Sequence, residues 1–394
     1  MNPVFPIKNR CLFFQNWVCF AKQFILKVGI EEVKRLLVFV IGILLLLAVL
    51  FSGRTWLNQT ENNNSEAVGG TKEQVTIFNW GEYVDPDLIQ KFEEETGYKV
   101  IYSTFDSNEG METKIKQGGT AYDLVFPSES IIPKMLESGL LLPLDHDKIE
   151  GMDQLSSFLM NQNFDQGNQY SLPYFWGTLG LMVNTEEIPV DQIKSWDDLW
   201  NPAFENQILA MDGSRETMGM SMQSLGISLN EKNREILAPA MKKLEAIRPN
   251  IKAVLTDEIK TLMIQGDAPI GLAYSGDAAF VMAENPAIAY VVPEDGGVIW
   301  TDNFAIPKTV KNLDGAYAFI NFMLRKENAK QNAEYVGYAT PHEGAKALLP
   351  KELTEDPTFY PEPEALEQME HYEYLGQETV ELYNDLFLEW KMGL

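Results

Sequence analysis

The sequence predicts an α/β protein whose body is divided into two lobes, and three observations lead to it. Short apolar runs alternate with amphipathic helical stretches twice along the chain, once from Val75 and again from Gly180. The 394 residues exceed the roughly 100–200 of a usual domain, so more than one unit is expected. A hydrophobic fraction of 45%, with 28 Gly and 20 Pro scattered without a period, excludes wholesale disorder and a collagen-like chain.

The first series runs β-α-β-α-β-α. Val75 to Phe78 reads as a strand, and Asp85-Pro86 then supplies an N-cap and a proline for the first helical position. Leu88, Ile89 and Phe92 share one face of that helix, and Gly97 closes it. Residues 99–105 form a second strand, Ser107 caps a helix through Gly110 to Gln117, and Tyr122 to Phe126 is a third strand. A helix from Ser130 to Ser138 is stopped by Gly139. In the second series Gly180 to Asn184 is a strand, the Ser195-Trp-Asp-Asp198 box opens a helix, and Gln207 to Met211 is a strand. A helix from Arg215 to Leu225 follows, and the strand Ile270 to Tyr274 leads into a helix ending at Glu284. Two such series argue for two lobes rather than one long sheet.

The amino-terminal residues differ in kind from this body. Residues 36–53 are uncharged and apolar, at the lower limit of length for a membrane-spanning helix. Residues 1–35 hold six Lys and Arg, including Lys34 and Arg35, whereas Arg54 alone follows before the acidic chain, an asymmetry that places a basic tail inside and the body outside. No small-x-small cleavage site stands out around Ala48 to Gly53, so an uncleaved signal anchor is expected, followed by a polar linker over residues 54–73.

Charge narrows the function classes. Residues 1–54 carry +5 of the chain's −26, which leaves −31 on residues 55–394. A body this acidic repels phosphate backbones, so no nucleic-acid partner is expected, and by sign it favours cationic ligands. Both cysteines, Cys11 and Cys19, precede the body, so it has no disulfide framework or cysteine metal site. His146, His342 and His371 lie far apart and outside any triad or metal-ligand spacing, and no GxGxxG or Walker motif is present. Glu93-Glu94-Glu95 and Asp197-Asp198 diverge in direction on a helix and are expected on solvated faces, while Met218, Met220 and Met222 are expected in the core. No cofactor is expected.

More informative is where aromatics and carboxylates coincide. Asn79-Trp80-Gly81-Glu82-Tyr83 follows the first strand at its carboxyl end, where open α/β sheets place ligands. Tyr274 ends another strand, and Trp300-Thr301-Asp302 follows the segment 296–299. Rings beside acids suit an elongated organic polycation, because ring faces attract ammonium groups and cover methylenes while carboxylates accept charge-assisted hydrogen bonds.

At these positions the chain resembles a known family. FNWGEYV at 78–84, YSTFDSNEGM at 102–111, AYDLVFPS at 121–128, YSLPYFWGTLGLMVN at 170–184, SWDDLW at 195–200, WTDNFAIP at 300–307 and YVGYATPH at 335–342 are similar to the spermidine/putrescine-binding component of bacterial polyamine ABC transporters. The resemblance runs in order from about residue 74 to about residue 390. It implies a two-lobed, type II-like periplasmic-binding-protein fold, with residues 74–176 and 300–361 in one lobe and 177–299 and 362–394 in the other. It also implies a monomer without catalysis, which closes over a polyamine and delivers it to permease subunits. By the same resemblance Trp80 and Tyr83 line one wall, Ser128 contacts an amine, and Tyr274 with Trp300 sandwiches the methylenes. Asp302 would meet an amino group, Glu216 would hold a terminal ammonium, and Tyr338 would complete the box.

The departures from the family pattern are local. Tyr274 stands where a Trp is frequent, Ser130 where a Tyr is frequent, and Gly213 where an Asp can stand, with Asp212 beside it as the expected substitute. The family's glutamine near the C-terminus has no clear counterpart among His371, Tyr372 and Glu373. Two other functions fit parts of the pattern: a secreted carbohydrate-active enzyme using Glu216 and Asp302 as paired carboxylates, and a receptor for iron or sugar.

Overall fold

The computed structural model describes residues 73–394. The tail 1–35, the segment 36–53 and all but the last residue of the linker 54–73 lie outside the described residues. Among the described residues no helix is long and apolar enough to cross a membrane.

The first series forms as local chemistry dictates. β1 (Gln74–Trp80) leads into α1 (Pro86–Thr96), where the Asp85 side chain accepts from Asp87 N, Pro86 occupies the first turn and Gly97 caps the end. β2 (Lys99–Phe105) pairs parallel to β1, and Ser107 caps α2 (Asn108–Gln117) by accepting from Gly110 N. β3 (Leu124–Val125) is shorter than expected, because Pro127 offers no N–H and the chain beyond it turns to pair irregularly with a later strand. α3 (Ile132–Glu137) also starts later than Ser130: no side chain caps it, and Pro133 in its first turn sets the start.

β4 (Ser171–Asn184) is a 14-residue strand, buried throughout, whose carboxyl end alone was expected. The Ser195–Asp198 box is present but opens only a 3-10 helix, Trp196–Trp200, since Asn201 is extended ahead of Pro202. Asp198 is half-buried and accepts from Lys194 N, Ser195 N and Ser195 Oγ, while Asp197 beside it is exposed, as expected. β5 (Ile208–Met211), α4 (Ser214–Gln223), α5 (Arg234–Ala246), β6 (Ile251–Leu255) and α6 (Glu258–Gln265) follow. Next come β7 (Ile270–Tyr274), α7 (Ser275–Glu284), β8 (Ile288–Val291) and β9 (Gly297–Ala305). The chain ends with α8 (Leu313–Met323), α9 (Lys326–Val336), the short helices α10 (Glu343–Lys346), α11 (Lys351–Thr354) and α12 (Pro363–Leu366), β10 (Met369–His371) and α13 (Gln377–Lys391).

The strands order β2-β1-β3-β9-β4-β7-β5-β6, with β10 added to β9 and β8 to β4. The expected pair of separate sheets is thus one continuous ladder. Its two halves are joined by the antiparallel pair β4 and β9, which register from Ser171↔Ala305 to Leu179↔Val298. Each half is still packed on both faces, as a doubly wound sheet requires. One core gathers Ile77, Leu88, Phe92, Phe319 and Phe322, with Phe78, Tyr122 and Met135 on the opposite face. Another gathers Trp196, Ile208, Met218, Met220, Met222 and Trp390, with Met182, Leu209, Met263 and Val281 opposite. Burial of each such side chain contributes roughly 1.5–3 kcal/mol.

The crossing pair carries one close approach that matters for the site. A Cβ on Gly177 would lie 2.7 Å from Trp300 Cζ2 and 2.5 Å from Ser275 Oγ, so only glycine lets the indole lie across β4.

Candidate ligand-binding site

The carboxyl ends of β1, β3 and β7 converge on the middle of β9, and the aromatic and acidic residues sit there. Asp302 is the centre of the first wall. Tyr83 Oη donates to its Oδ2 and Ser128 Oγ to its Oδ1, both at 2.6 Å. The turn after β1 delivers Tyr83, with Glu82 in the left-handed region at φ 52°. The Tyr83 carbonyl accepts from Tyr174 Oη at 2.6 Å, and Asn332 donates to that same hydroxyl at 2.7 Å, so the tyrosine is braced from behind. Ser128 is held by Asn108 at the start of α2, which donates to Ser128 Oγ and accepts from Ser128 N. Trp80 packs on Phe105 at 4.5 Å and donates to the Phe126 carbonyl at 3.0 Å.

Burial pushes the Asp302 carboxyl up to about 6, even though the Ser128 and Tyr83 hydroxyls and the nearby Trp80 N–H favour its charged form. Burial likewise raises Tyr83 and Tyr338 well above the usual phenol range, and the Asp302 charge adds to both. Both phenols are therefore hydrogen-bond donors at neutral pH.

The second wall belongs to the other half of the sheet. Glu216 sits in the first turn of α4 and accepts from Tyr274 Oη at 2.9 Å, where the N-terminal end of the helix favours negative charge. Gly213 makes this possible, since a Cβ there would lie 2.1 Å from Glu216 Oε2. Arg215 turns away, donating to the carbonyls of Glu373 and Leu229 and to Asn230 Oδ1, with its guanidinium 4.3 Å from the Tyr372 ring.

Between the walls stands a run of edge-to-face rings. Tyr274 and Trp300 are 6.0 Å apart at 79°, Trp300 and Tyr338 4.8 Å apart at 83°, and Tyr338 and Tyr83 5.8 Å apart at 66°. The indole Nε1 of Trp300 and the hydroxyl of Tyr372 are buried without a hydrogen-bond partner. Among the described residues no Lys, Arg or His forms an ion pair with Asp302 or Glu216, and no group of three His, Cys, Asp or Glu converges to hold a metal. Acids without cations beside a ring stack favour a positively charged organic group.

The structure thus brings together Trp80, Tyr83, Ser128, Glu216, Tyr274, Trp300, Asp302 and Tyr338. It does not bring Asp212 to them: its carboxylate is exposed and paired with Lys391 Nζ of α13 at 2.7 Å. The position left open at Gly213 is filled instead by the carboxylate of Glu216. Two residues escaped sequence reasoning, Glu129, buried beside Ser128, and Asn108 behind it, and Tyr372 after β10 was named there without a role. The serines flanking Glu129 gave no hint of burial, whereas the missing glutamine counterpart could have directed attention to Tyr372.

Comparison with known proteins agrees with this architecture. A family model described as bacterial extracellular solute-binding protein matches residues 87–361. The spermidine/putrescine-binding periplasmic protein of Escherichia coli is 36% identical over 84% of this chain and 94% of its own. A putative spermidine/putrescine ABC transporter protein from Listeria monocytogenes is 52% identical, with a TM-score of 0.76, over 82% of this chain and 100% of that one. The spermidine/putrescine ABC transporter substrate-binding protein of Streptococcus pneumoniae is 50% identical with a TM-score of 0.77, over 81% and 99%. The Escherichia coli and Streptococcus pneumoniae relatives are binding proteins, and the paired-carboxylate enzyme finds no support among the relatives. With its two-lobed fold, its cleft of rings and unpaired acids, and a family model that spans most of its body, the chain belongs to the bacterial extracellular solute-binding proteins.

Proposed function

We propose that this protein is the polyamine receptor of an ABC importer, binding spermidine or putrescine outside the cytoplasmic membrane and handing it to permease subunits. The observation that carries the proposal is Asp302, a buried carboxylate held by two hydroxyls with no cation of the protein beside it, next to the Tyr274, Trp300 and Tyr338 rings. An ammonium group placed there gains a charge-assisted bond, and the adjoining methylenes gain ring faces. Glu216 on the opposite wall takes the second charge, and Trp80, Tyr83 and Ser128 shape the first wall.

Titration calorimetry against spermidine, putrescine, maltose and an amino acid tests this. Saturable binding of the polyamines with no heat from the other two is expected. Binding of maltose or the amino acid with none of the polyamines would overturn the assignment.

The two lobes, residues 74–176 with 300–361 and residues 177–299 with 362–394, close as units about the β4/β9 crossing, and the protein acts as a monomer. Residues 36–53 anchor it to the membrane with its body outside, on the strength of their apolar length and the basic residues before them. Recovery of the native protein mainly in soluble form, starting after residue 53, would remove the anchor from this proposal.

A further inference from the structure

Glu129 lies beside Ser128 and has no role in the site as so far described. Its backbone pairs with Thr301, N–H to carbonyl at 2.9 Å, and its Oε2 accepts from Thr301 N at 2.8 Å. The residue is 1% exposed, yet among the described residues no Lys, Arg or His forms an ion pair with it, and the donor to its carboxyl from another residue is Thr301 N. The groups that face it come from both halves of the molecule: Asp302 on β9, Arg215 on α4, Tyr274 at the end of β7 and Tyr372 after β10. It is therefore a buried acid set between the two walls, one residue from the Ser128 that bonds Asp302.

We propose that Glu129 is a further acidic group of this cleft and that capture of a cationic ligand is coupled to release of its proton. Buried, and with the facing Arg215 committed to the Glu373 and Leu229 carbonyls and to Asn230, the side chain is mostly the neutral acid at neutral pH. When an ammonium group enters, the carboxylate form is stabilised and the proton passes to solvent, so one positive charge arrives as another leaves.

Burial supports the assignment, since it pushes the Glu129 carboxyl up to about 8, with Asp302 adding to the effect and the Thr301 amide and Arg215 opposing it. Asp302, raised to about 6, is mostly ionised at pH 7.5 and contributes little to the exchange there. A second acid that ionises only on demand adds attraction for a polycation without holding two close unpaired charges in the free protein.

The inference rests on the polyamine assignment, and calorimetry separates the two. Spermidine is titrated into the purified protein at pH 7.5 in phosphate and in Tris, whose ionisation enthalpies differ, and the buffer dependence of the heat counts protons released. Wild type should release on the order of half a proton or more, and Glu129→Gln should still bind while releasing far less. Wild-type affinity should rise several-fold between pH of about 6 and about 8, whereas Glu129→Gln should keep only the smaller rise below about pH 7 that Asp302 contributes. Tight binding with no buffer dependence and a flat pH profile would overturn the role of Glu129 and leave the polyamine assignment standing, as would equal release by a folded Glu129→Gln variant. Absence of any spermidine heat in either buffer would overturn both.

Discussion

Asp302 and Glu216 lie at the two ends of one run of rings, but the chain holds them in different ways. Asp302 is embedded in the crossing strand β9, almost wholly buried and fixed by two short hydroxyl bonds whose donors are themselves braced by Tyr174 and Asn108. Glu216 hangs from the first turn of α4, partly exposed, with Tyr274 its one side-chain hydrogen-bond donor among the described residues and its place secured by the missing side chain at Gly213. The first wall is preorganised by long-range packing, whereas the second is set by the end of a helix. The difference teaches where binding strength should reside: a desolvated, fixed charge discriminates more sharply than one that water still reaches.

Breaking the first wall should have the largest effect. Asp302→Asn is expected to weaken spermidine binding by about 2–5 kcal/mol, because it leaves a desolvated ammonium without its charge partner. It should not lower the melting temperature, since burial already disfavours the ionised form of Asp302. Calorimetry and a thermal melt of the same variant check both halves, and wild-type affinity would remove Asp302 from the site.

The second wall is probed through a residue that touches no ligand. Gly213→Ala keeps an allowed backbone at φ −137° but must displace the Glu216 carboxylate from Tyr274. Its loss of affinity should match that of Glu216→Gln, about 1.5–3 kcal/mol each. A Gly213→Ala variant that binds like wild type while Glu216→Gln does not would show that the carboxylate has another resting place. Trp300→Ala, between the walls, should cost about 2 kcal/mol with an unchanged salt dependence, since it removes ring contact rather than full charge. A steeper salt slope would contradict that.

The walls should also separate by pH. In the ligand-free protein Glu129 keeps, up to about 8, a proton that the unfolded chain releases near its ordinary 4.5, so the native state binds more protons and stability falls as pH rises through that window. Asp302 acts in the same sense between 3.8 and about 6. His371 acts oppositely: burial lowers it from 6.5 to about 4, so its contribution is gained as pH rises between those values. Above about 6.5 the fading contributions of Asp302 and His371 act in opposite senses and Glu129 dominates, so stability should decline by up to about 1.4 kcal/mol per pH unit until about 8. Denaturant melts from pH 6.5 to 8, with Glu129→Gln flattening the profile, measure it, and a rising profile would refute the sign.

The smallest effect belongs to Asp212. Paired with Lys391 at the surface, it should tolerate Asn within about 0.5 kcal/mol in both binding and stability. A large loss of spermidine affinity in Asp212→Asn would return it to the site and put Gly213 in question.

How much of this was legible in the chain depends on the range of each interaction. Asp85-Pro86, Ser107 and Gly97 act within a turn or two, and their helices form where the residues indicate. Trp80 and Tyr274 were identifiable because strand ends are local features. Asp212 misled because its partner lies 179 residues further on, and Glu129 went unseen because the amide that receives its carboxylate is 172 residues away. Phe126 and Ser130 are the expected ends that Pro127 and Pro133 displace, a constraint that element propensity does not weigh.

By itself the sequence determined the α/β rhythm, the helix caps, the acidic body and the residue types that gather at strand ends, since these follow from steric preference, composition and contacts within a few residues. Only the tertiary structure decided that β4 and β9 join both halves in one ladder, that Glu216 fills the space at Gly213 and that Asp302 and Glu129 are desolvated while Asp212 is not. Desolvation depends on which distant segments exclude water from a side chain, and that information exists only once the chain has folded back on itself.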